Sequence, residues 1–86
     1  MTNQTESVVL QQVERAFAEA SIYLTTKLEA ELSFADIDGL DSVSRVRLML
    51  SVEDVFGIEI SPKENSGLRT IRDLVDLVVA KQRKST

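Results

Sequence analysis

The chain of 86 residues contains no cysteine, no histidine and no tryptophan. Without cysteine there is no disulfide and no thiolate zinc site. Without histidine the commonest general base and the commonest zinc ligand are gone, with every Ser/His or Cys/His arrangement. A metal site of carboxylates alone would need a spacing such as that of an EF-hand, and none is present. No apolar run approaches the length of a membrane span. Met1 to Ser7 is polar, with no charged segment leading into an apolar one, so no signal peptide is expected and the chain reads as soluble and cytoplasmic. There is no Gly-x-Ser-x-Gly elbow and no Gly-rich phosphate loop. A catalytic serine would have to rely on a lysine or a carboxylate. Asp41 adjoins Ser42, but neighbours at a helix start do not normally face each other for proton transfer. Glu53 and Asp54 diverge by about 100° on a helix, poor geometry for a catalytic dyad. Intrinsic enzymatic activity is therefore not expected.

The formal net charge of -4 is unevenly placed. Between Glu29 and Glu64 stand nine acids and three bases, a local charge of -6, which leaves +2 for the two ends. An acidic centre argues against nucleic acid, because phosphate contacts need clustered Lys and Arg. It suits basic protein partners steered at long range, or else is simply a solvated surface. The length allows one small domain over residues 1–86, a monomer, with 1–6 and 82–86 frayed.

Leu10, Val13, Phe17, Ala20, Leu24 and Leu28 recur at three- and four-residue intervals, which predicts an N-terminal helix with one apolar stripe. Its end is ambiguous. Ile22 to Thr26 is rich in β-branched and aromatic residues, whereas Lys27 to Leu32 has helix-forming composition. The pattern allows one helix to about Glu31 or a break near Ser21. Ser33 to Leu40 reads as a loop broken at Asp36, Asp38 and Gly39, with Phe34 and Ile37 as its anchors.

Asp41 is placed to cap the next helix, which puts Ser42 in its first turn. That helix should run to about Phe56 and stop at Gly57. Its pattern has two apolar faces. At 100° per residue, Leu48, Met49, Val52, Val55 and Phe56 cluster on one side. Val43, Val46 and Leu50 cluster nearly opposite. A surface helix needs only one such stripe. The helix is either sandwiched in the core or carries a charge-rimmed patch for another protein, with Arg47 and Asp54 beside it. A central helix is hard to surround in a domain this small, which favours the patch. Ile58 and Ile60 anchor an extended segment. Ser61-Pro62-Lys63-Glu64 opens a short helix with a Ser cap, Pro at the first position and Glu three on; Ser66-Gly67 closes it. Thr70 caps a last helix, with Asp73 three residues later. Ile71, Leu74, Val75, Leu77 and Val78 form its buried face. Lys81, Arg83 and Lys84 complement its dipole.

The hydroxyl of Ser42 would thus sit exposed at a helix start, where N–H groups and the dipole favour a phosphate. It is a modifiable serine beside an apolar stripe, or an ordinary residue of a capping turn.

Gly39-Leu40-Asp41-Ser42-Val43 resembles the Gly-x-Asp-Ser-Leu signature of the acyl carrier protein family. Glu53 to Ile60 resembles the Glu-Glu-x-Phe-x-Ile-x-Ile segment that follows it there. Ser33-Phe34 lies where the family has its loop Phe, and Leu68-Arg69-Thr70-Ile71 resembles the start of its last helix. The similarity runs from about Ser7 to Val79. It implies an all-α four-helix bundle: three long helices, one short, and a long first loop, with the first helix ending near Ser21. It implies that Ser42 carries 4′-phosphopantetheine, donated from coenzyme A by a phosphopantetheinyl transferase, and that acyl groups ride on the arm as thioesters. It implies a docking stripe of Val43, Val46 and Leu50, with Asp41, Glu53 and Asp54 as acidic contacts for the basic surfaces of acyl-transferring, ligase or synthase enzymes. Departures are visible. Val43 replaces the usual Leu, Ser44 and Arg47 stand at positions usually acidic in carriers of fatty acid synthesis, and Arg45 adds another base. The face is expected to be mixed in charge, which suits a specialised carrier for a modified fatty acid, lipid or polyketide. An aminoacyl carrier loaded by an adenylating ligase, and an unmodified helical adaptor, are the competing readings.

Overall fold

The computed structural model describes residues 2–84, with side chains from 7 to 83. Four helices follow in order: α1 (Thr2–Glu19), α2 (Ser42–Phe56), α3 (Pro62–Ser66) and α4 (Ile71–Lys84). A single 3-10 turn, Phe34–Asp36, sits in the long connection between α1 and α2. This is the expected all-α bundle of three long helices and one short one. The expected fraying at 1–6 and 82–86 falls partly on Met1, Ser85 and Thr86, which lie outside the described residues. Where the backbone is described, at 2–6 and 82–84, it continues α1 and α4.

α1 takes the shorter of its two possible lengths. Ser21 adopts a left-handed conformation at φ 61°. The N–H of Ser21 then bonds the Ala18 carbonyl at 3.0 Å, and the N–H of Ile22 reaches the Phe17 carbonyl at 2.9 Å. These two bonds close the helix in the Schellman pattern. Leu24 and Leu28 therefore leave the helical stripe. Leu28 is still buried, but from the loop. The buried face of α1 is Val9, Val13, Ala16 and Phe17, continued by Ala20 just past its end, with Leu10 only half-buried beside it.

The long connection is fastened at both levels. Phe34 and Ile37 are buried anchors, as expected. The backbone adds a stitch. Ser33 and Thr70 form an isolated antiparallel bridge. The carbonyls of Leu32 and Ala30 accept the N–H groups of Ile71 and Arg72 at 2.9 and 2.8 Å. These are the opening N–H groups of α4, which no helical carbonyl can reach. The next one, Asp73, is met by the Thr70 hydroxyl at 3.3 Å. The long loop thus completes the cap of the last helix.

α2 packs its inner face, Leu48, Met49, Val52 and Phe56, against α1, in one core cluster with the buried residues of α4. It ends at Gly57 (φ 66°), after which the N–H of Ile58 closes on the Glu53 carbonyl at 3.2 Å. α3 has its full capping box: Ser61 Oγ accepts from Glu64 N, and Glu64 Oε1 accepts from Ser61 N. None of the side chains of α3 is buried. It is a strap between two apolar anchors, half-buried Ile60 and buried Leu68. α4 buries Ile71, Leu74, Val75 and Val78, with Leu77 half-buried. Lys81 does more than complement the dipole, since its Nζ lies 3.0 Å from Glu64 Oε1 and ties α4 to α3. The side chain of Lys84 lies outside the described residues.

Candidate functional site

The serine stands where loop becomes helix. A turn brings the N–H of Leu40 to the Ile37 carbonyl at 3.3 Å, with Gly39 at φ 79°. A Cβ at Gly39 would meet nothing within 4 Å, so glycine is needed there for its dihedral and not for room. Asp41 then caps α2. Its Oδ1 accepts the N–H of Ser44 at 2.8 Å, and its carbonyl takes the first helical bond, from Arg45, at 2.9 Å. The Ser44 backbone N–H is the main cause that holds the Asp41 carboxyl below its ordinary pKa, so the group stays anionic well into acid.

Ser42 is the first residue of α2 and is exposed. Among the described residues its hydroxyl is committed to no partner. No buried charge must be moved to reach it, and the first turn of a fifteen-residue helix favours an anion at that point. A phosphodiester on this oxygen fits the surroundings.

Immediately behind it lies the second apolar stripe. Val43, Val46 and Leu50 are 66%, 53% and 60% exposed. The sandwich alternative is thereby excluded for this chain: the outer face of α2 is covered by nothing among the described residues. Arg47 and Asp54 share that face and are exposed. Asp41 stands at its serine end. Glu53 lies on the flank and is only half-exposed, its Oε2 accepting the N–H of Ile60 at 2.7 Å. One oxygen of this carboxylate therefore holds the chain between α2 and α3.

Arg45 is the correction. Grouped with Arg47 as a surface base in the sequence, it lies on the opposite side of the helix. Its Nε donates to Asn65 Oδ1 at 3.0 Å, and its Nη2 donates to the carbonyls of Asn65, at 2.7 Å, and of Leu68. The guanidinium also stacks over the Phe34 ring, 4.8 Å from the centroid. The signal was present in the helical wheel. At 100° per residue Arg45 falls between Val52 and Phe56, in the middle of the buried arc.

Between α2 and α3 runs a groove of about 150 Å³, floored by Met49 and Ile60 and rimmed by Val46, Leu50, Glu53 and Asn65. Among the described residues, no cluster of three acids could hold a metal ion, and no helix is long and apolar enough to cross a membrane.

The profile of the phosphopantetheine attachment site family matches residues 11–78, most of the chain and all of the geometry just described. The chain belongs to the acyl carrier protein family. It is 33% identical over 73 residues to the acyl carrier protein of Thermosynechococcus vestitus, covering 85% of this chain and 90% of that one. It is 35% identical over 54 residues to the acyl carrier protein of Myxococcus xanthus, covering 63% and 68%. The crystal structure of the Thermotoga maritima acyl carrier protein superposes with a TM-score of 0.76 at 28% identity, over 95% of this chain and 94% of that one. The solution structure of the holo acyl carrier protein of Geobacter metallireducens gives 0.73 at 28% identity, over 94% and 88%. As a member of this family the chain is a carrier and not an enzyme, and it takes a covalent 4′-phosphopantetheine. A phosphopantetheinyl transferase and acyl-handling enzymes are its partners in kind.

Proposed function

We propose that Ser42 is the attachment point and that residues 1–86 act as one specialised acyl carrier domain. The observation that carries this is the placement of Ser42: exposed, at the first position of a helix capped by Asp41, one turn from an outward apolar stripe. The Ser42 oxygen becomes the ester oxygen of a phosphodiester, displacing adenosine bisphosphate from coenzyme A, while its proton passes to the transferase. When bound, the arm supplies a terminal thiol that holds an acyl group as a thioester. Asp41 keeps the start of α2 rigid beneath the serine. Val43, Val46 and Leu50 dock on partners, and Arg47 and Asp54 set the register.

The mixed charge of that face supports a dedicated partner set. A surface that fits it offers an acid opposite Arg47 and bases opposite Asp41 and Asp54. A uniformly basic surface meets repulsion at Arg47. The groove between α2 and α3 can shelter the start of a short acyl chain.

Intact-mass measurement after incubation with coenzyme A and a broad-specificity transferase tests the attachment. One added arm, lost in Ser42→Ala, is the expected result. No gain, or a gain that survives the substitution, overturns it. Loading of the thiol by an acyl-activating rather than an amino acid-activating ligase then tests the cargo class.

A further inference from the structure

Arg45 breaks a local rule. It stands in the first turn of α2, where the helix dipole disfavours a cation, and it points into the buried arc, where a charge is costly to place. Such a residue is retained when it finds compensation elsewhere. Here the compensation is α3. Two of its acceptors are main-chain carbonyls at and just beyond the end of α3, and the third is the side chain of Asn65. A fork of N–H donors can span these at once, which an ammonium cannot.

α3 needs such a tie. It is five residues long and buries no side chain, so hydrophobic packing does not hold it in place. Between its anchors, Ile60 and Leu68, polar contacts do that work: Arg45 from α2 and Lys81 from α4. Asn65, gripped by Arg45, is also a wall of the groove of about 150 Å³. That wall is at the end nearest Ser42, since Arg45 and Val46 lie one helical turn beyond the serine. The far end is held by Glu53 on the Ile60 N–H. Both ends of the groove are therefore pinned by hydrogen bonds. A cavity of about this volume takes a group the size of one benzene ring, so the groove suits a short acyl segment.

We propose that Arg45 is a specificity-determining residue of this carrier. By tying α3 to α2 at the serine end it fixes the width of the groove and restricts the sheltered cargo to short acyl chains. A longer chain enters only if α3 lifts, which breaks the bonds to Asn65 and Leu68 together. The cargo restriction rests on Ser42 bearing the arm; the tie between helices does not.

The experiment has two arms. In the unmodified protein, hydrogen exchange is measured at the amides of Asn65, Gly67 and Leu68, all of which are bonded within this segment. Arg45→Met, which removes all three charge-assisted hydrogen bonds, is expected to speed their exchange about tenfold or more, and Arg45→Lys to fall in between. In the loaded protein, melting temperatures are compared for butyryl, octanoyl and dodecanoyl forms. The wild-type chain should gain little beyond butyryl, whereas Arg45→Met should keep gaining with length, because each further methylene then finds a buried place. Asn65→Ala leaves Arg45 in place, removes one acceptor, and should show both changes to a smaller degree, which keeps the test decisive if Arg45→Met does not fold. Unchanged exchange overturns the tie. Parallel length profiles in wild type and variant overturn the specificity. Failure to attach an arm overturns the Ser42 assignment alone, since the exchange arm is read on protein that carries none.

Discussion

Ser21 and Gly57 occupy the same left-handed region at the ends of α1 and α2, φ 61° and 66°. The glycine adopts it without a Cβ penalty; the serine does not. Gly57→Ala should therefore cost about 1 kcal/mol, a fall in melting temperature of roughly 4–8 °C for a chain of this size. Its Cβ would meet no atom within 4 Å, so the loss is one of dihedral strain and not of collision. Ser21→Gly should leave stability unchanged or raise it by up to about 1 kcal/mol, readable in the same thermal melts. Gly57 as a helix stop was legible in the sequence, because glycine there follows a clean apolar period. The break near Ser21 was one of two readings of the pattern, the one the family resemblance favoured; that Ser21 itself takes the left-handed turn was not legible, because serine carries no mark of one. Ser42 was legible too: the Asp before it and the apolar period after it both locate a helix start.

α2 shows how far an element can be read from its own pattern. Two stripes on one helix imply two uses, and the structure buries one and leaves the other at 53–66% exposure. Substitution on the outer stripe should then separate docking from folding. Leu50→Asp should change the melting temperature little, since surface changes stay within about 0.5 kcal/mol. It should nevertheless weaken binding to a cognate acyl-handling enzyme by tenfold or more, about 1.4 kcal/mol, as loss of an apolar anchor does. Arg47→Glu should slow association with the cognate partner several-fold at low salt, and the difference should shrink as salt rises. An Arg47→Glu protein that binds equally well at every ionic strength would remove Arg47 from the proposed docking face. The same wheel placed Arg45 on the buried side, yet its identity as a base drew it to the surface. A base in a buried arc is a sign of a specific acceptor, here two carbonyls and an amide of a segment 20 to 23 residues further on.

At the scale of the whole molecule, charge contacts join elements that packing alone would leave loose. Glu31 Oε2 meets Arg72 at 2.9 Å, tying the long loop to α4, and Glu64 meets Lys81, tying α3 to α4. Asp73 Oδ2 accepts the N–H groups of Arg69 and Thr70. The pKa of each carboxyl is lowered: Glu31 chiefly by its hydrogen bond with Arg72, Glu64 by the Ser61 N–H and then Lys81, Asp73 by the Arg69 and Thr70 N–H groups. A lowered folded-state pKa means that the stabilisation is present above the ordinary carboxyl range, about pH 4 to 4.5, and is lost as pH falls through the lowered values. The melting temperature should hold steady above about pH 5 and drop below about pH 4, and the drop should be smaller in Glu64→Gln and Asp73→Asn. All these groups are solvent-facing, so each effect is modest and weakens with salt. The sequence by itself determined the helices, their starts at Asp41 and Ser61, the stop at Gly57, the two faces of α2 and the place of Ser42. Those signals act over about four residues, through capping bonds and helical period. Only the tertiary structure decided that the carbonyls of Leu32 and Ala30 complete the cap of α4, that Glu53 holds Ile60, and that Arg45 grips α3. Those pairings join groups up to some forty residues apart in the chain, and which donor finds which acceptor is settled only when the apolar faces have packed and brought them together.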